Sequence, residues 1–166
     1  MLVMKGKVMV NLDKSYNCLE ETYAVLEKTG TVDQGILKGQ IAPAVLQTEH
    51  AAVIAKALYM PIISLDDSNA AANIHECLNQ LHPAAFEFVF KKDTAAILSN
   101  LPKKNCRIWV NSLWSSLNGG HYDDMAFDDG NTKDSWDWLL SKGFTIFQTD
   151  RPATLLAYLQ KKGLHK

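Results

Sequence analysis

The amino-acid sequence predicts an α/β fold organised around a parallel sheet. Six short apolar runs are bounded by polar residues or glycine, as is typical of buried strands, and a segment with helical spacing follows each run. No hairpin signal of the Asn-Gly kind joins two neighbouring runs directly. Regular alternation of this kind implies right-handed parallel crossovers. Two architectures stay open on these grounds, an open parallel three-layer sheet and part of an eight-stranded barrel.

Each predicted element rests on its own local pattern. In the first helix, Leu19, Tyr23 and Leu26 share one stripe, and Gly30 follows as a stop signal. Pro61 lies near the start of the third strand, where a missing backbone donor is tolerated. The predicted strands are residues 7–12, 35–39, 59–65 and 86–90 and the runs that contain Ile108 and Ile146. The predicted helices are residues 16–28, 43–58, 69–81 and 93–101, a segment near Trp136, and residues 154–162.

Length and composition favour one compact domain that spans residues 1–166. The 47% hydrophobic content is ordinary for a globular protein. Seventeen basic and eighteen acidic residues give a formal net charge of −1, which argues against nucleic-acid binding through bulk charge. The three cysteines lack metal-ligand spacing and are expected to be small buried hydrophobes.

The sequence offers no sign of membrane insertion or export. No apolar run approaches the roughly 20 residues that a membrane-spanning helix requires. The N-terminal residues 1–7 lack the arrangement of a signal peptide, so we expect a cytoplasmic protein.

Polar side chains at the ends of two predicted strands mark a candidate ligand site. Asn111 and Asp150 follow the fifth and sixth apolar runs, and ligands bind at the carboxyl ends of parallel strands. A structural role is open for both residues: Asn111 as a hydrogen-bond partner of loop backbone, and Asp150 as a helix cap or a partner of Arg151. Trp109 could flank a ligand pocket or belong to the core.

The loop between these strands contains His121, Asp123 and Asp124, which are residue types that bind metals. In a glycine-rich loop such residues are more often solvated turn residues, and we predict that role here. A dinucleotide-binding module of the Rossmann or flavodoxin kind is disfavoured, because no Gly-x-Gly-x-x-Gly follows any strand.

Three segments carry a resemblance to a known family. They read Val-Asn-Leu-Asp-Lys in the first strand, Ile-Trp-Val-Asn in the fifth, and Gln-Thr-Asp-Arg-Pro after the sixth, before Leu-Leu-Ala-Tyr-Leu. Together they resemble the glycerophosphodiester phosphodiesterase family, and the Gly-Gly-His-Tyr-Asp-Asp loop resembles its Bacteroidetes-type branch. The resemblance implies a TIM-type (βα)-barrel whose strands three to eight correspond to the six strand-helix units of this chain.

The resemblance also implies a metal-dependent hydrolysis of glycerophosphodiesters to glycerol 3-phosphate and an alcohol. The family's His-Arg-Gly and Glu-x-Asp motifs, which carry a catalytic histidine and two metal-binding acids, are missing from this sequence. We therefore expect the first two barrel strands to be absent and the chain to be inactive. The alternatives are an active enzyme whose missing segment was lost from the gene model, and a non-catalytic remnant that binds a phosphate-bearing ligand.

Site residues follow from the resemblance at matching positions only. Asp13 takes the place of the third-strand acid that binds a divalent metal, Mg or Ca, in the family. The family's phosphate-facing lysine stands two positions beyond that acid, whereas here Lys14 follows Asp13 immediately. Either a local bulge re-aims Lys14 or Lys38 supplies the positive charge, and Asn111 matches the asparagine that ends the seventh barrel strand. The structural alternatives are a helix cap for Asp13 and a solvated strand end for Lys38.

A barrel without two of its strands exposes two open sheet edges and part of its apolar core. Unpaired strand edges favour pairing with another chain, so we expect a homodimer. The expected ligand is a glycerophosphodiester or another phosphate-bearing small molecule.

Overall fold

Six strands follow one another in chain order in a six-stranded sheet, β1-β2-β3-β4-β5-β6. The computed structural model describes residues 1–92 and 106–165. The strand pairs with defined register, β1 with β2, β2 with β3 and β5 with β6, are all parallel. The predicted α/β class is therefore confirmed. The strands are β1 (Val10–Leu12), β2 (Gly35–Gly39), β3 (Leu58–Ser64), β4 (Ala85–Val89), β5 (Arg107–Asn111) and β6 (Ile146–Gln148).

Helices lie between most successive strands. The predicted helix at 43–58 is divided at His50 into two short helices, and the predicted helix at 93–101 lies outside the described residues. The α-helices of the described residues are α1 (Leu19–Thr29), α2 (Pro43–Glu49), α3 (Ala51–Ile54), α4 (Ala70–Gln80), α5 (Asp123–Phe127), α6 (Trp136–Ser141) and α7 (Pro152–Lys161). The 3-10 turns are Leu2–Met4, Ser15–Asn17, Val32–Gln34 and Ser115–Leu117.

The first strand is shorter than the sequence predicted. The expected span was 7–12, but β1 begins only at Val10. Val8 and Met9 are each 51% exposed, so the alternating apolar pattern that predicted a longer strand continues beyond the part that pairs with β2.

The chain divides into two compact units, of which the first contains Met1–Ile63 and Asn69–Glu87. Its core forms where helices cover one face of β2 and β3. Leu37 of β2 and Tyr59 of β3 are paired in register, and both are buried there. The buried members of this core are Leu19, Leu26, Leu37, Leu46, Val53, Ala57 and Tyr59.

Helix α1 shows how the sequence of the first unit determines its local structure. Leu19 and Leu26 are two turns apart and both are 1% exposed, so one stripe of the helix faces the core. The helix ends at Gly30, whose φ of +60° is the left-handed conformation that glycine adopts without strain. Both features match the sequence prediction.

The second unit contains Ser64–Ser68 and the described residues from Phe88 onward. Trp109 of β5 is in register with Ile146 of β6. Helices α5, α6 and α7 contribute the buried residues Ala126, Trp136 and Leu155, which pack together. Residues 1–92 and 106–165 contain no helix that is long and apolar enough to span a membrane.

Candidate functional site

The first unit places three charged side chains together where β1 and β2 end. The Lys38 ammonium lies 2.8 Å from Glu87 Oε2 and 3.2 Å from Asp13 Oδ1. Asp13 directly follows β1, Lys38 is the fourth residue of β2, and Glu87 is the central residue of β4. We call Asp13, Lys38 and Glu87 the lysine-carboxylate cluster.

The alternation of side chains along β2 explains why Lys38 points into this cluster. Leu37 is buried in the helix-covered core, and successive strand residues point to opposite faces, so Lys38 points to the other face of the sheet. Lys38 is only 3% exposed and Glu87 only 4%. An ammonium group at this depth loses its hydration, and the buried carboxylate of Glu87 compensates for that loss.

Asp13 contributes an exposed carboxylate to the same ammonium group. Its side chain is 62% exposed, so the Asp13–Lys38 contact lies at the solvent end of the cluster. The predicted alternative that Asp13 caps a helix near Tyr16 is wrong. Helix α1 begins at Leu19 after Cys18, and the side chain of Asp13 contacts Lys38 instead. The predicted solvated strand end at Lys38 is also wrong, because Lys38 is buried.

The turn after Asp13 determines which lysine lies next to this carboxylate. Lys14 adopts a left-handed backbone conformation, with φ at +59°, and is exposed, while the 3-10 turn Ser15–Asn17 follows it. Of the two lysines that the sequence left open, Lys38 is therefore the one that contacts Asp13. Which lysine would face a phosphate stays a prediction.

Gly39 allows close packing directly beside Lys38. A Cβ atom at position 39 would lie 2.7 Å from the Cβ of Tyr16 and 3.0 Å from the hydroxyl of Tyr59. Burial raises the pKa of that Tyr59 hydroxyl to about 12, so it is neutral at physiological pH. The backbone that carries Lys38 is therefore closely packed at Gly39, where there is no room for a side chain.

The cluster does not fit the divalent metal that the family resemblance implies. Metals such as Mg²⁺ and Ca²⁺ require several oxygen ligands, whereas here two carboxylates share one ammonium group. A cation placed between Asp13 and Glu87 would meet the like charge of Lys38. Throughout residues 1–92 and 106–165, no group of three or more His, Cys, Asp or Glu side chains is arranged to hold a metal ion.

Asn111 and Trp109, the predicted substrate-binding residues of the fifth strand, lie in the second unit. The side-chain oxygen of Asn111 accepts a hydrogen bond from the Leu113 amide at 3.1 Å, and its backbone carbonyl accepts one from Asn118 Nδ2 at 3.0 Å. This is the loop-supporting alternative predicted for a polar residue at a strand end. Trp109 is 9% exposed and belongs to the buried residues.

The loop residues His121, Asp123 and Asp124 do not converge on one site, because each contacts different residues. Asp124 pairs with Arg151 at 3.0 Å, and the ring of His121 stacks on Trp138 with centroids 3.6 Å apart. A solvated turn role was predicted for all three residues, and it is wrong for Asp123, which is 1% exposed.

Asp123 is a buried carboxylate that connects three parts of the second unit. It accepts hydrogen bonds from Trp136 Nε1 at 2.8 Å, from Thr149 Oγ1 at 2.7 Å and from the Asp150 amide at 3.1 Å. The roles predicted for Asp150 are therefore wrong. The backbone amide of Asp150 donates a hydrogen bond to Asp123, and Arg151 pairs with Asp124 instead. Helix α7 begins at Pro152, and no side chain caps it.

A second charged group of this unit lies between α6 and α7. Lys162 and Tyr158 both donate hydrogen bonds to the Asp137 carboxylate. Burial alone would raise the pKa of Asp137, but these hydrogen bonds outweigh it and lower the pKa. The pKa of Tyr158 is raised, first by burial and then by its hydrogen bond to Asp137. The arrangement ties the C-terminal end of α7 to α6.

Sequence reasoning missed Glu87 and the buried role of Asp123. Glu87 stands between Phe86 and Phe88, and a carboxylate inside such an apolar strand signals a buried partner of opposite charge. Asp123 had no comparable signal, because its neighbours His121, Tyr122 and Asp124 are ordinary loop residues.

A family model described as a domain of unknown function, DUF4996, matches residues 59–159. The chain belongs to this family. The match to DUF4996 begins at Tyr59 and ends at Leu159. It includes Glu87, Asn111 and Asp123, whereas Asp13 and Lys38 precede it. No curated protein matches the chain.

We predict that Asp123→Ala lowers the free energy of unfolding by about 2–4 kcal/mol, because the Trp136 and Thr149 donors lose a buried acceptor. Urea denaturation monitored by tryptophan fluorescence measures the effect. Asp124→Ala is the matched control, and its cost should stay within about 1 kcal/mol because the pair with Arg151 is exposed. Equal losses in the two variants would contradict the role assigned to Asp123.

Proposed function

We propose that the chain is a glycerophosphodiester phosphodiesterase-like domain that does not hydrolyse phosphodiesters by itself. Its six parallel strands, in chain order, would correspond to strands three to eight of the TIM-type barrel of those enzymes. The resemblance in β1, β5 and the segment after β6 supports this correspondence. The DUF4996 match does not point to a particular reaction, because the family is described as a domain of unknown function.

The observation that carries the proposal is the lysine-carboxylate cluster. A phosphodiesterase of this kind needs cationic groups that meet the charge developing on phosphate oxygens, and it needs a general acid or base. In this chain the Lys38 ammonium is already matched by Glu87 and Asp13. The cluster carries one positive and two negative charges, which opposes the approach of a phosphodiester.

Three of the five histidines, His50, His75 and His121, make contacts away from the lysine-carboxylate cluster. His50 pairs with Glu20 in the first unit, and His75 lies 3.0 Å from the side-chain amide of Asn79 on α4. His121 stacks on Trp138 in the second unit. None of these three histidines is proposed as the general acid or base, since each is engaged in a contact outside the cluster.

We expect the purified chain to release no glycerol 3-phosphate from glycerophosphocholine, with or without added Mg²⁺ or Ca²⁺. A coupled assay for glycerol 3-phosphate measures the product, and Asp13→Asn tests whether any product depends on the cluster. Turnover by the wild-type chain that Asp13→Asn abolishes would refute the proposal. Turnover that survives Asp13→Asn would also refute the proposal, unless a mock purification without the chain shows the same activity and so reveals a contaminating hydrolase.

A second proposal concerns binding without hydrolysis, and the exposure of Asp13 supports it. The Asp13 carboxylate occupies the solvent side of the Lys38 ammonium, which is the position that an oxygen of a phosphate-bearing ligand would take. A ligand of this class would have to displace Asp13, whereas Glu87 stays buried with Lys38. Asp13 would then act as an internal competitor for the ligand.

Asp13→Asn should therefore strengthen binding of glycerol 3-phosphate about threefold to tenfold, because it removes the competing negative charge from Lys38. Isothermal titration calorimetry measures the dissociation constants. Asp33→Asn, an exposed aspartate in the 3-10 turn Val32–Gln34, controls for the change in net charge. Weaker binding in Asp13→Asn, or equal gains in both variants, would argue against this competition.

We also propose that the chain forms a homodimer through the edge strand β1. This strand stands at one end of the strand order, with β2 as its neighbour in the sheet. Val8 and Met9, the two residues before β1, are half exposed and add apolar surface beside the edge of β1 that has no neighbouring strand among the described residues.

Size-exclusion chromatography with light scattering should give about twice the chain mass of 18.5 kDa. Met9→Lys should shift the species to the monomer mass, because a charge beside the edge strand opposes strand pairing. Leu164→Lys, at another exposed apolar residue, should leave the mass unchanged. A wild-type monomer at high protein concentration would refute dimer formation.

A further inference from the structure

We propose that Lys38 is a built-in replacement for a metal ion: its ammonium group occupies the space between the Asp13 and Glu87 carboxylates and excludes divalent cations from it. This inference deepens the proposed function, since it rests on the same lysine-carboxylate cluster. It makes a separate claim, however, about what the cluster binds in the absence of any substrate.

The distances support this role for the ammonium group. Carboxylate oxygens bind Mg²⁺ at about 2.0–2.1 Å and Ca²⁺ at about 2.3–2.6 Å. The distances of 2.8 Å and 3.2 Å from Lys38 Nζ to Glu87 Oε2 and Asp13 Oδ1 are those of charge-assisted hydrogen bonds and ion pairs. One monovalent group therefore contacts both carboxylates that would otherwise be the first ligands of a metal ion.

Burial prevents Lys38 from moving aside for a metal ion. The side chains of Lys38 and Glu87 are 4% and 6% exposed, so each charge depends on the other for compensation in the protein interior. If the ammonium group left, it would need water or another carboxylate, and a divalent ion that entered beside it would be repelled. Lys38 belongs to β2, whose register with β3 fixes its backbone next to Met60.

Asp13 alone does not provide an alternative metal site. It is the exposed member of the cluster and can turn away from Lys38, but a single carboxylate supplies too few ligands for Mg²⁺ or Ca²⁺. Removal of Lys38 would make both carboxylates available to a metal ion. It leaves the Asp13 and Glu87 carboxylates, with a combined charge of −2, facing the space that the ammonium group held.

Mn²⁺ is the probe for the test, because the electron paramagnetic resonance signal of the free ion reports how much is bound. We expect the wild-type chain to show no Mn²⁺ binding that Asp13→Asn removes. Lys38→Ala should gain one Mn²⁺ site, and Mn²⁺ should raise the unfolding temperature of this variant but not of the wild-type chain. Lys38→Ala/Glu87→Gln is the matched control, and it should lose the gained site.

Two results would overturn the inference. One is saturable Mn²⁺ binding by the wild-type chain that Asp13→Asn abolishes and Asp33→Asn preserves. The other is a folded Lys38→Ala variant that gains no Mn²⁺ site. If Lys38→Ala does not fold, Lys38→Gln keeps most of the side-chain volume without the charge and gives the same test. If neither variant folds, the inference is tested by Mn²⁺ binding to the wild-type chain, compared with binding to Asp13→Asn and Asp33→Asn.

The two proposals fail in different ways. Hydrolysis of glycerophosphocholine by a wild-type chain that binds no Mn²⁺ would refute the proposed function and leave the role of Lys38 intact. Mn²⁺ binding at Asp13 without hydrolysis would refute the role of Lys38 and leave the proposed function intact.

Discussion

A buried ammonium group is stable only where carboxylates replace the water that it has lost, and Lys38 meets this condition at the end of β2. The condition follows from a simple alternation. Leu37 joins the helix-covered core, so its neighbour must point to the opposite face, where Glu87 from β4 receives it. Removing Lys38 would leave the Glu87 carboxylate buried without its ammonium partner, and removing Glu87 would take the buried carboxylate away from Lys38. The cluster therefore constrains both the packing and the chemistry of the first unit.

The second unit buries a charge by different means. Asp123 has no ammonium partner among its hydrogen bonds and is held by the indole of Trp136, the hydroxyl of Thr149 and a backbone amide. Neutral donors of this kind can stabilise a carboxylate when several converge on it. Such a carboxylate has its acceptor positions used by the protein, which explains why a loop rich in metal-binding residue types serves to hold the fold together.

The sequence predicted the fold better than the site. Periodicity and stop signals such as Gly30 located the strands and α1, because these depend on local backbone preferences and on one apolar face. The sequence did not reveal that Glu87 meets Lys38, since the two residues are 49 positions apart and only the strand arrangement brings them together. The same limit applies to Asp123, whose donors lie 13 to 27 positions away.

The alternation of apolar residues predicted too long a first strand. The pattern before β1 continues through Val8 and Met9, yet these residues lie outside the paired strand. The backbone before them already follows the 3-10 turn Leu2–Met4, and the side chain of Gln34 hydrogen bonds to the carbonyls of Met4 and Val8. A polar side chain that binds backbone carbonyls competes with strand pairing, and this competition cannot be read from hydrophobic periodicity.

The tight packing at Gly39 has a consequence for any redesign of this chain. Even a methyl group there would press on Tyr16 and Tyr59, and the strain would pass through one peptide bond to Lys38. A substitution at position 39 would therefore disturb the backbone directly beside Lys38 without altering any charge of the cluster. A library built at this glycine would explore the geometry of the neighbouring ion pairs while leaving their electrostatic composition constant.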